Sequence, residues 1–198
     1  MPEVITQLYI HSMKLLKPLI IILILAGISP SLLMSQDDVS FELQIYPTGI
    51  IPGLRLEKNF ARKNAAHIRV GAQLINHWGF GVQEREWGYG YGTTFGYKRF
   101  FTENFKGYSL GVKCDLWQNF ISWENNSDAP SKTSGKTKIY VIQPTMELGY
   151  TFLKNENLII TSTCAVGFEW NVKTEGQPTG EGAIILFGVL IGNRNFSL

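Results

Sequence analysis

Tyr140-Val-Ile-Gln-Pro-Thr-Met-Glu-Leu-Gly-Tyr-Thr-Phe152 sorts into two unlike faces when read as a strand. Successive side chains on a strand point to opposite faces. One face then carries Tyr140, Ile142, Pro144, Met146, Leu148, Tyr150 and Phe152, and the other Val141, Gln143, Thr145, Glu147, Gly149 and Thr151. The first face is wholly apolar, with aromatics at both ends. The second is mostly small or polar. Tyr140 and Tyr150 are ten residues apart, or roughly 33 Å at about 3.3 Å per residue. Tilted by about 40°, that length covers roughly 25 Å, the height of the apolar band on a transmembrane barrel. The stretch reads as a strand that crosses a membrane with its aromatics at the two interfaces.

The chain of 198 residues is long enough for one domain with a full core. It is 17% charged and 13% aromatic, with 20 glycines. This composition favours strands. No internal stretch is long and apolar enough for a membrane helix. A net charge of +2 is too small to argue for nucleic acid or an anionic surface. A mean hydropathy near zero fits a barrel whose strand faces alternate. The two cysteines, Cys114 and Cys164, fall on the outward face of strands that are not neighbours, so free thiols are expected. Without nearby histidines they offer no metal-ligand spacing, and no cofactor is expected.

The N-terminus has the form of a secretory signal peptide. Lys14 and Lys17 precede the apolar run Pro18 to Ile28, and Ser35-Gln36-Asp37-Asp38 opens the polar segment. A basic start, a short apolar run and a small residue before a polar stretch define such a signal. Cleavage after Ser35 divides the chain into a signal peptide, 1–35, and a barrel domain, 36–198.

Eight strands fit the remainder: about 39–46, 51–60, 65–76, 88–100, 108–121, 140–152, 158–170 and 182–196. In the fifth strand the phase is expected to slip after Leu116, where Gln118 falls on the apolar face, through a bulge or emergence from the membrane. In the eighth, Ala183, Ile185, Phe187, Val189 and Ile191 make the better outward face. The polar stretches 77–87, 124–136 and 172–181 read as longer loops. Short turns alternate with them, the first loop at Pro47 to Gly49 being the exception.

On this register the polar face carries Glu42, Arg55, Glu57, His67 and Arg69 on the first three strands. Lys98, Lys113, Asp115, Glu147 and Glu169 follow on the later ones. A barrel of eight strands is just wide enough for side chains to fill, and buried charges must pair. A packed ionic plug is expected, not a pore, with inward glycines leaving room for long basic side chains. Trp78, Trp87, Tyr89, Trp123, Tyr140 and Trp170 gather at the loop ends of the strands. Phe60, Phe100, Tyr108, Tyr150 and Phe152 gather at the turn ends. Two such clusters read as the aromatic girdles of a membrane barrel.

This pattern, the Tyr46-Pro47-Thr48-Gly49 turn and the last strand, Gly188-Val-Leu-Ile-Gly-Asn-Arg-Asn-Phe196, resemble the small eight-stranded outer-membrane barrels of the OmpA/OmpX type, and most closely those of Bacteroidetes-like bacteria. The resemblance covers about Val39 to Phe196. The family's terminal aromatic is usually the last residue, whereas Ser197 and Leu198 follow here, and Asn193 stands where an aromatic is common. The resemblance implies an all-β, up-and-down antiparallel transmembrane β-barrel in the outer membrane of a Gram-negative bacterium. It implies outer-membrane lipid, lipopolysaccharide and the barrel assembly machinery as partners. A surface protein or host ligand is a further expected partner through the loops around Glu84, Asn126 and Thr179.

The leading expectation is therefore a structural or surface-binding membrane protein with a filled polar lumen, and not an enzyme. Two alternatives stay open on the sequence. Some small outer-membrane barrels deacylate or acylate lipid A, which needs a serine activated by a histidine that an acid orients. Neither His67 nor His77 has a serine placed beside it by spacing. Alternation is also mirror-ambiguous, so a secreted soluble barrel of the lipocalin kind would bury Tyr89, Tyr97, Tyr150 and Phe152 instead. Gly88 to Gly96 lacks both the spacing and the strand-to-helix setting of a phosphate loop.

Overall fold

The structure, a computed structural model, describes residues 36–79, 81–126, 130–154 and 157–194. The expected signal peptide and the final aromatic Phe196 lie outside these residues. Eight strands follow one another: β1 (Gln36–Tyr46), β2 (Gly49–Phe60), β3 (Asn64–Trp78), β4 (Arg85–Phe100), β5 (Gly107–Asn125), β6 (Thr133–Lys154), β7 (Leu158–Glu175) and β8 (Gly182–Arg194). Each pairs antiparallel with the next, and β8 closes onto β1. Closure removes the unpaired edges that an open sheet would present.

The apolar face points outward. Phe41, Leu54, Val70, Phe95, Val112, Met146, Val166 and Phe187 are all exposed, while Glu42, Arg55, Arg69, Lys113 and Glu147 on the alternate positions are buried. This decides the mirror ambiguity against a soluble barrel. A water-soluble barrel would not leave a continuous belt of large apolar side chains outside and seal its charges within. β8 takes the expected phase, with Ile185, Phe187, Val189 and Ile191 exposed and Leu186 and Leu190 buried. Cys114 and Cys164 are free and half-buried, on strands separated by β6.

Three expectations are corrected. First, β5 does not slip: its pairing with β4 and β6 is continuous through Gln118. Unbroken alternation keeps Gln118 on the outer face, where two belt tyrosines satisfy it. Tyr91 donates to its Oε1 at 2.6 Å, and its Nε2 donates to the Tyr140 hydroxyl at 3.0 Å. The irregularity lies instead between β6 and β7, where Tyr140 faces Lys173 and Val141 faces Asn171, leaving Val172 over as a bulge.

Second, the polar stretch 124–136 is strand at both ends, residues 124–125 in β5 and 133–136 in β6. Glu124 pairs with Ser134 and Trp123 with Gly135, so the β5–β6 hairpin runs past the aromatic belt. Ladder hydrogen bonds do not depend on side-chain polarity, and in water neither face needs to be apolar.

Third, two aromatics leave the girdles. Phe100 is only 1% exposed and packs edge-on to Phe105 beside Ala65, inside the turn end. Trp123 keeps the inward phase of Trp117 and Ile121 and lies over Gly135. Both follow from unbroken alternation, which fixes their side whatever their affinity for an interface. The other expected belt residues face out. Arg85 lies over the Trp78 and Trp87 rings at 4.7 and 5.0 Å, and Tyr150 packs between Tyr108 and Phe152 at 4.7 and 4.5 Å.

Candidate functional site: the barrel interior and its outer mouth

Inward positions on adjacent strands bring distant charges together. In β1, Glu42 accepts two hydrogen bonds from Arg55 of β2, Nε to Oε2 at 2.8 Å and Nη2 to Oε1 at 2.9 Å. Glu42 Oε1 also lies 3.4 Å from Arg69 Nη1 of β3. Arg69 Nη2 reaches Asp115 of β5 at 2.6 Å, and its Nε donates to Thr94 Oγ1 at 2.9 Å. Thr94 in turn donates to Asp115. Arg55 also faces Glu147 at 3.5 Å and Glu57 at 4.0 Å. Lys98 binds Glu57 at 2.8 Å and Lys113 binds Glu147 at 3.0 Å.

Four bases (Arg55, Arg69, Lys98, Lys113) thus meet four acids (Glu42, Glu57, Asp115, Glu147), and all eight are buried. The numbers balance, as burial of ions demands. His67 is buried in the same layer with no hydrogen-bond partner on either ring nitrogen, its ring against Gly96. A Cβ at Gly96 would stand 2.2 Å from His67 Cε1, so glycine makes the room. Gly92 does the same for the Trp117 ring. The glycines accommodate these rings as well as basic chains.

The sequence reading missed the seal at the turn end. Arg194 of β8 stands 3.4 Å from Asp38 of β1 and donates to the carbonyls of Asn104 at 3.1 Å and Phe105 at 2.8 Å. Asn59 Nδ2 donates to Asp38 at 2.9 Å. All three are in phase with the lumen, but Asp38 lay just before the expected first strand and the phase of β8 was ambiguous.

Above the charges, toward the loops, the lumen turns apolar. Tyr46, Ile51, Trp117, Val141, Ala165 and Leu186 form a buried collar that Ile75, Ile121 and Ile139 extend. Arg69 lies under the Trp117 ring at 5.5 Å. Beyond the collar is a half-enclosed cavity of about 340 Å³. Its walls carry Gln73, His77, Glu86, Asn119 and Glu169. His77 and Glu86 face each other across β3 and β4, Nε2 to Oε2 at 3.2 Å. Glu169 accepts from Gln143 at 2.9 Å.

Two loops roof the cavity. The β7–β8 loop buries Thr179. Its Gln177 carbonyl accepts from Thr137 at 2.9 Å, and its Pro178 carbonyl accepts from Gln83 of the β3–β4 loop at 3.1 Å. Asn125 donates to Gln83 Oε1 at 2.6 Å. Among the described residues, neither His67 nor His77 is hydrogen-bonded to a serine.

With strand order, closure and an apolar exterior in hand, the fold is that of the small eight-stranded outer-membrane barrels. The chain is similar to a major outer membrane protein from Thermus thermophilus, with a TM-score of 0.52 and 10% identity over 81% of this chain and 99% of that one. It also matches Ail, the attachment invasion locus protein of Yersinia pestis solved with the heparin analogue sucrose octasulfate, with a TM-score of 0.44 and 9% identity over 81% and 97%. The N-terminal β-barrel domain of Pseudomonas aeruginosa OprF matches with a TM-score of 0.42 and 11% identity over 80% and 96%. No protein-family model matches the chain, and no curated protein is significantly similar to it. Identities this low speak for architecture and not for residue roles.

Proposed function

We propose that this chain is a small outer-membrane protein of a Gram-negative bacterium, whose lumen is closed and whose outer end is a binding surface. The observation that carries the reading is the balanced layer of four bases and four acids across the lumen. A water-filled channel would leave such groups hydrated and apart. Here they pair between strands, with the Asp38–Arg194 seal on one side and the Trp117 collar on the other. The outward apolar belt between aromatic girdles supports the membrane address, as does the fold shared with a Thermus protein named for the outer membrane. Lipopolysaccharide and other membrane lipids would meet the belt, and a surface protein or host ligand would meet the outer loops.

Planar-bilayer recording of the purified barrel tests this. The expected trace shows no steady channel at moderate voltage. A stable ohmic conductance in every insertion would overturn the closed lumen.

A further inference from the structure

The outer cavity is chemically one-sided. Among the described residues its walls hold three carboxylates, Glu86, Glu169 and Glu181, and no lysine or arginine. Glu86 and Glu181 stand within electrostatic reach of Glu169. His77 is the one basic group among the described lining residues, and it is committed to one oxygen of Glu86. The other oxygen, Glu86 Oε1, is buried without a well-formed hydrogen bond, although the Gln83 backbone N–H lies near the carboxylate, and Gln73 Oε1 is buried without a partner. Glu86 and Gln73 are at most 3% exposed. Buried acceptors without donors cost free energy until a donor arrives. The floor, in contrast, is aliphatic: Ile75, Ile121, Ile139 and Ile184. The carboxylates do not converge on a metal-binding geometry among the described residues.

We propose that this cavity binds a small organic cation, a protonated amine with a short apolar body. The ammonium group would supply its donors to Glu86, Glu169 and Gln73, and the hydrocarbon would lie on the isoleucine floor. A bare metal ion would leave that floor unused, and an anion would meet acidic side chains with no lysine or arginine among the described lining residues to offset them. The close approach of Gly180 to Gly81, where a Cβ would come within 3.0 Å, holds the roof low over a ligand of this size. The inference deepens the binding role proposed above and rests on the barrel reading.

The probe is n-butylammonium, titrated by calorimetry into the detergent-folded full-length barrel, with n-butanol and butyrate as isosteric controls. Butylammonium is expected to bind, and both controls to fail. Glu169→Gln and Glu86→Gln, each close to isosteric, are expected to weaken binding at least tenfold. Absence of butylammonium binding, equal binding of butanol, or affinity unchanged in both variants would overturn the assignment. Each sample is checked in the same detergent for a heat-dependent gel shift. A barrel that shifts yet ignores the amine defeats this inference alone. A protein with no shift defeats the barrel reading itself.

Discussion

Arg55 is the residue on which three of the four acids of the ion-pair layer converge. It touches Glu42 twice and also faces Glu147 and Glu57. Removing one partner of a buried pair strands the other in a medium that solvates it poorly, at a cost of about 3–5 kcal/mol. Glu42→Leu is therefore expected to lower the unfolding free energy of the detergent-folded barrel, read from urea titration, by that order. Adding Arg55→Met to Glu42→Leu should recover most of the loss, because Glu147 keeps Lys113 and Arg69 keeps Asp115. Equal stability of the single variant and the parent would contradict the network. Glu42, Arg55 and their partners were legible because each interrupts an apolar alternation in the interior of a strand. Asp38 and Arg194 were not, since they sit at strand ends where the pattern has too few neighbours to fix its phase. Phe100 and Trp123 show the converse: chemical type suggested a girdle, but the phase of the strand decided the side.

At the scale of the strand, β6 shows what alternation can and cannot reveal. From Tyr140 to Phe152 its inward and outward sets match the sequence reading position by position. Before Tyr140 the strand reaches back to Thr133, unread, because a ladder in water imposes no apolar face. Its midpoint between the girdles is Met146, 55% exposed. A cation at the bilayer midplane costs about 2–4 kcal/mol, falling to about 0–1 near an interface. Met146→Arg is expected to destabilise the barrel in liposomes by the larger amount and Tyr150→Arg by much less, measured by reversible unfolding. Equal effects at both positions would mean that the outward face does not sit in hydrocarbon. The bulge at Val172 was invisible in sequence. It re-aims β7 so that Lys173 lies over the Tyr140 ring at 5.4 Å, beside Lys138 at 5.0 Å.

At the scale of the molecule, the even strand count and the alternation of short and long connections made closure legible. The roof over the mouth was not. The segments 77–87 and 172–181 read as loops because their polar residues carry no period; in the structure their ends belong to β3, β4 and β7, and tertiary contacts among Gln83, Thr137, Asn171 and the 177–181 segment fold Gln83 and that segment over the lumen. The interior is thus layered from the turn end outward: an Asp38–Arg194 seal, a neutral set of ion pairs, an apolar collar and an acidic mouth. Such layering sets the ion pairs and the collar between the turn-end seal and the acidic mouth, and the proposed binding chemistry belongs to the outer end. All of it depends on one claim, that this chain is a closed barrel spanning the outer membrane. The direct test is electrophoretic mobility of the outer-membrane fraction with and without boiling. A band in that fraction that shifts on boiling is expected, since closed barrels stay folded in detergent until heated. A folded protein found in the soluble fraction, with no heat-dependent shift, would contradict the claim.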